Sequence, residues 1–209
     1  MHDRSHLAWP FFEDRHREYA DNVHNWLASR HTEPGEVRSG TSAQPEDAAV
    51  RNWVHALAQN GYFQPCLDLD VRTLCITRES LAYHDALADF AFAMQGLGSA
   101  PISLFGTAQQ KKRFLPGIAS GSTISAFALT EREAGSDVAA TATMARKDGD
   151  SYVIDGEKTW ISNAGIAQLY IVFARTGETG SKGLSAFIVP AHASGISVPE
   201  RIETISPHP

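Results

Sequence analysis

The chain has little cysteine and no excess of one charge. Its two cysteines, Cys66 and Cys75, lack metal-site spacing and read as structural thiols. Nine histidines are scattered rather than paired at ligand spacing, which argues against a metal centre. Lys and Arg number 18 against 24 Asp and Glu, and the net charge of -6 comes with both signs interspersed. No basic run is present, so a nucleic-acid partner is not expected. No apolar stretch approaches the length that spans a bilayer, and Met1-His2-Asp3-Arg4-Ser5-His6 lacks the apolar block of a signal peptide. A membrane span is therefore not expected, and a cytoplasmic location follows by default. Internal repeats and low-complexity tracts are also missing.

What is present divides in two near Ser120. Before it, the spacing of apolar residues is helical. A surface helix is expected from Trp9 to about Ser29, with Phe12, Tyr19, Val23, Trp26 and Leu27 as its buried stripe. Thr32–Gly40 mixes Pro, Gly and polar residues and reads as a loop. A second helix is expected from Pro45 to Gly61, with Trp53, Val54 and Leu57 on its apolar side. The run from Val71 to Leu97 reads as one long central helix ending at Gly96 and Gly98. Its wheel gathers Ile76, Tyr83, Leu87, Phe90, Met94 and Leu97 on a broad apolar arc and Arg78, Asp85 and Asp89 in a polar strip. Thr107 is placed to cap a short helix that Pro116 ends or restarts. Lys111, Lys112 and Arg113 on that helix read as a solvated face, with attraction of a phosphate-bearing ligand as the alternative.

After Gly121 the period changes. Ser122–Leu129, Ala139–Arg146, Ser151–Asp155, Leu169–Ala174 and Leu184–Val189 are short, rich in β-formers and separated by turns such as Asp148–Gly149–Asp150. The expected fold class is α+β in two domains: an all-α helical bundle over 1–120, then an incomplete antiparallel β-barrel over 121–209. Arg201–Pro209 begins another strand-like run without a closing turn, which leaves the barrel partial.

Two stretches carry the chemistry. Phe127–Asp137 reads as an apolar strand running into a turn of small residues, where Thr130 and Ser136 offer hydroxyls and Gly135 can take unusual backbone angles. That is a seat for an anion. Trp160-Ile161-Ser162-Asn163 follows the Asp155–Gly156 turn, and in an extended strand the indole and the Ser162 hydroxyl share a face. An aromatic slab beside a donor suits a flat heteroaromatic ligand.

Together these stretches resemble the flavin-binding signature of the acyl-CoA dehydrogenase family, a Thr-Glu-x-x-x-Gly-Ser-Asp segment followed by Trp-Ile-Thr/Ser. Gly106–Pro116 is similar to the segment that closes that family's amino-terminal helical domain. The resemblance implies FAD as cofactor, an acyl-CoA thioester as substrate, an electron-transfer flavoprotein or similar acceptor, and a homo-oligomer when complete. It implies that Phe127, Leu129 and Thr130 line the flavin, with Leu129 and Thr130 hydrogen-bonding its pyrimidine side. Gly135 and Ser136 would meet the pyrophosphate, Ser136 also the CoA arm; Trp160 would pack on the ring and Ser162 would bond near N5. The family's Pro-Gly turn is here Arg132-Glu133, and its Thr is here Ser162.

The family's general base belongs to a carboxy-terminal helical domain, so no residue here is assigned that role and the base is expected beyond residue 209. Glu131 and Asp137 read as structural carboxylates of the flavin loop. The chain alone is expected not to dehydrogenate acyl-CoA. Alternatives on the same scaffold are a flavin monooxygenase or oxidase and a non-catalytic subunit pairing with a second chain; a helix-plus-barrel protein without flavin is the plainest reading.

Overall fold

The computed structural model describes residues 3–30, 45–205 and 208–209, and the chain divides into two compact units at Ser122–Thr123. The loop expected over Thr32–Gly40 lies outside the described residues.

Among the described residues, the first unit holds six α-helices. A 3-10 turn at Ser5–Ala8 precedes α1, Asp14–Ser29. Helix α1 starts later than Trp9 because Glu13 and His16 close a capping box around its first turn, with the Glu13 amide donating to His16 Nδ1 at 2.9 Å. Helix α2 spans Pro45–Gln59 and buries Trp53, Val54 and Leu57, as its apolar spacing requires. A short α3, Gln64–Asp68, had no sequence signal long enough to announce it.

The single helix expected from Val71 to Leu97 is two: α4, Val71–His84, and α5, Ala86–Phe105. The break is at Asp85, whose backbone is extended and whose carboxylate accepts the Leu87 amide at 2.8 Å and the Ala88 amide at 3.4 Å. The break resets the helical phase, so the expected apolar arc fails: Tyr83 is 52% and Leu97 44% exposed. The buried face of α5 is instead Ala88, Ala91, Phe92, Gln95, Gly98, Ser99 and Ile102. Arg78 and Asp89, expected on one strip, form a two-bond ion pair at 2.7 and 2.8 Å from one helix to the next.

Gly96 and Gly98 do not end α5, because this small-residue face packs against α2, α3, α4 and α6 and outweighs poor intrinsic propensity. At Gly96 a β-carbon would come within 3.3 Å of Cys66 Sγ, a tight contact that would ask the thiol to shift by a few tenths of an ångström. Phe63 and Phe92 stack at 6.0 Å in the same core. Thr107 caps α6, Ala108–Ala119, through a reciprocal pair with Gln110. Pro116 lies inside α6 and neither ends nor restarts it.

The second unit is a five-stranded open sheet: β1 Ser125–Ala128, β2 Met144–Asp148, β3 Ser151–Asp155, β4 Leu169–Arg175 and β5 Leu184–Pro190. Strand β4 is its spine, with Leu169, Tyr170, Ile171 and Ala174 buried. It runs antiparallel to β5 along its whole length and parallel to β1, with Ser125 opposite Leu169 and Ala128 opposite Val172. It also meets β2 in parallel at Met144 and Arg175, while β2 and β3 form an antiparallel hairpin. The sheet is open, in keeping with an incomplete barrel, but mixed rather than wholly antiparallel. Strand spacing sets which residues face the core and says nothing of direction, which the connection between β1 and β4 decides. Residues 201–205 form no strand.

Candidate functional site

Strand β1 delivers Phe127, Leu129 and Thr130, all half-buried, to one end of the sheet. The Phe127 ring packs on Phe173 with centroids 5.0 Å apart. The chain then turns through Arg132-Glu133, closed by Glu131 N to Ala134 O at 3.1 Å and Ala134 N to Glu131 O at 3.2 Å. Neither Arg132 nor Glu133 takes a positive φ, so this turn forms without the Pro-Gly of the family pattern.

Gly135 also has no positive φ, so the turn does not draw on the wider range of angles open to a glycine there. A β-carbon there would meet nothing within 4 Å, so space beside it is open to an approaching ligand. Ser136 is exposed. No hydrogen bond among the described residues joins Gly135 or Ser136 to the Trp160–Ser162 segment.

That segment is a loop and not the strand its spacing suggested. Trp160 has φ 57° and Asn163 φ 65°, both left-handed, so the two-residue alternation of a strand does not apply. The indole of Trp160 is 63% exposed, while Ser162 is half-buried. Asn163 anchors the loop's far end: it is buried, its amide nitrogen donates to Ser125 O on β1 at 3.0 Å, and its Oδ1 has no partner among the described residues.

The two stretches meet through residues the sequence had not singled out. Thr159 N donates to Thr130 O at 3.0 Å. Lys158 Nζ donates to Leu129 O at 2.9 Å and to Glu131 Oε1 at 2.7 Å. Glu131 and Lys158 side chains are 8% and 10% exposed, so the pair is nearly dry. The Glu131 carboxylate also accepts the Ala142 amide at 2.6 Å, the Thr143 amide at 3.0 Å and the Thr143 hydroxyl. Burial pushes this carboxyl up, but the bonds from Lys158, Thr143 and the two amides outweigh it and hold it down at about 2.

Gly156 completes the packing: it sits at φ 155°, and a β-carbon would fall 2.5–2.7 Å from Thr143. Lys158 and Thr143 were missed because their roles depend on pairing across 27 and 12 residues of sequence. The usable signal was a lone lysine two residues from a tryptophan, just after the Asp155–Gly156 turn.

Farther along the same loop, Arg175 at the end of β4 donates to Ala139 O at 2.8 Å and to Thr141 O at 2.9 Å. Its guanidinium also reaches Glu178 O and Gly180 O, tying the segment after Ser136 to the β4–β5 connection. The hydroxyls of Thr130 and Ser162 make no hydrogen bond among the described residues. The site therefore offers free hydroxyls at Thr130 and Ser162 and an exposed indole, on two loops locked together from behind. Those groups suit a flat polar ring system.

Comparison with known proteins gives the same direction. A probable acyl-CoA dehydrogenase of Mycobacterium leprae is 41% identical over 125 residues, 59% of this chain and 32% of its own. One of Bacillus subtilis is 45% identical over 108 residues, 51% of this chain and 28% of its own. Among solved structures, an acyl-CoA dehydrogenase complexed with FAD from Bacillus anthracis is 28% identical with a TM-score of 0.70. The match covers 92% of this chain and 34% of that one. In the matched segments the chain thus spans about a third of the length of these relatives. The family description "Acyl-CoA dehydrogenase, N-terminal domain" matches residues 13–122, "Acyl-CoA dehydrogenase, middle domain" matches residues 126–208, and the chain belongs to the acyl-CoA dehydrogenase family.

Proposed function

We propose that this chain supplies one face of the FAD site of an acyl-CoA dehydrogenase, which introduces an α,β double bond into an acyl-CoA thioester. The observation that carries the reading is the joining of the Thr130 and Trp160–Ser162 segments by Thr159 N–Thr130 O and by Lys158, with the indole left exposed. Phe127, Leu129 and Thr130 would line the ring, Trp160 would cover it, and Ser162 would donate to it. Gly135 and Ser136 would meet the pyrophosphate, Ser136 also the CoA arm. FAD, when bound, supplies acceptance of the hydride.

Glu131, the buried carboxylate of the site, does not supply the base. Glu131 is committed to four donors and held ionised far below neutrality, so it lacks both the freedom and the proton affinity to take an α proton. Asp137 is exposed on the turn. The 209-residue chain on its own is expected to be inactive, and turnover with an artificial electron acceptor would contradict this. An acyl-CoA substrate, an electron-transfer flavoprotein or similar acceptor, assembly as a homo-oligomer and a cytoplasmic location complete the reading. No helix among the described residues is long and apolar enough to cross a membrane.

The test is flavin uptake. The purified chain incubated with FAD is expected to retain it through gel filtration and release it on heating. Trp160→Ala, at an exposed position, should change stability by no more than about 0.5 kcal/mol yet weaken FAD retention. A colourless wild-type protein, or unchanged retention by the variant, contradicts the reading.

A further inference from the structure

The Glu131–Lys158 pair lies behind the candidate site, nearly dry, and Lys158 Nζ also donates to Leu129 O at 2.9 Å, a bond that joins the two loops and at the same time sets a cation on a peptide oxygen. That oxygen belongs to the peptide whose N–H is Thr130's. An ammonium on a carbonyl oxygen draws electron density along the peptide and makes its N–H a stronger donor, the more so where water is excluded. We infer that Lys158 is a positioning residue that holds and polarises the Leu129–Thr130 peptide, so that the bound flavin is favoured in its more negatively charged, reduced form. This rests on the flavin reading proposed above.

Glu131 sets the strength of the effect. Its carboxylate sits 2.7 Å from Lys158 Nζ and offsets part of the ammonium's field, while its bonds to Ala142 and Thr143 fix where that ammonium stands. The two members of the pair therefore act on the peptide with opposite signs. A purely structural staple would behave otherwise: loss of either member would loosen the same loops in the same direction.

The experiment uses the 209-residue chain loaded with FAD and compares its affinities for oxidised and reduced flavin through the midpoint potential. In the double variant Glu131→Gln/Lys158→Met, which leaves no unpaired buried charge, preference for reduced flavin should fall about tenfold, a drop of about 30 mV for a two-electron couple. Glu131→Gln alone, which frees the ammonium's field, should move the potential the other way. Lys158→Arg should stay near wild type. If the folded double variant loses FAD altogether, the sign of the Glu131→Gln shift decides.

A second readout needs no flavin: amide exchange at Thr130 and over residues 159–163 should quicken in the double variant and be restored in Lys158→Arg. If the wild-type chain takes up no FAD, the flavin reading falls and the inference with it. If wild type binds FAD and both variants keep its potential, or both shift it the same way, the inference alone is overturned. If the double variant does not fold, the sign of the Glu131→Gln shift decides.

Discussion

At the scale of single residues, the site rests on one carboxylate. Glu131 is 7% exposed and accepts from Lys158, Thr143 and Ala142, so its charge is stabilised only while the unit is folded. Its pKa is lowered from 4.5 to about 2. A depressed carboxyl contributes stability that is fully present above its unfolded pKa and is lost as pH falls through the folded one. The window is therefore pH 4.5 down to about 2, and the contribution above it is about 3 kcal/mol. Urea midpoints of wild type and Glu131→Gln, measured from pH 7 to pH 2.5, should differ by a constant amount above pH 5 and converge below. A difference that does not shrink in acid would show that the charge of Glu131 is not what stabilises the unit. Which carboxylate would matter was partly legible: Glu131 read as structural because it sits inside a turn. Its partner did not, because nothing in Glu157-Lys158-Thr159 marks a lysine as buried until the Asp155–Gly156 turn is folded against Thr143.

At the scale of elements, some of the local chemistry was legible. Thr107 announces the start of α6, Pro45 lies at the start of α2, and β3 runs from Ser151 to Asp155 as its composition suggests. Where an element's limits depend on a choice between two local options, the sequence was silent. Asp85 reads equally well as a polar position on a continuous helix or as a cap between two helices, and the cap wins because it satisfies the Leu87 and Ala88 amides while its own N–H bonds Leu81 O at 2.7 Å. Trp160 and Asn163 follow the same logic: their left-handed backbone lies among bonds that run from Lys158, Thr159 and Asn163 to Leu129, Thr130 and Ser125, partners far off in the sequence. Asp85→Ala should cost about 1 kcal/mol in thermal or urea unfolding, with Asp85→Asn near wild type. Equal stability of Asp85→Ala and wild type would mean that packing of α4 and α5, and not the cap, sets the break.

At the scale of the whole molecule, the family and the two-part order of helices then strands were legible because each rests on many residues at once: a change of hydrophobic period after Gly121 and two motifs in fixed order. The strand directions were not, since side-chain alternation is the same for parallel and antiparallel neighbours. The candidate site is equally divided. Phe127, Leu129, Thr130, Trp160 and Ser162 were named from the sequence, while the buried pair that fixes them came only from the fold. The proposed flavin-contact face is made by the Thr130 turn and the Trp160–Ser162 loop. A crystal structure of this chain grown with FAD tests it most directly. The expected result is the isoalloxazine ring against Trp160, within hydrogen-bond reach of Thr130 and Ser162; a ring bound elsewhere on the chain, with those three residues free, would contradict it.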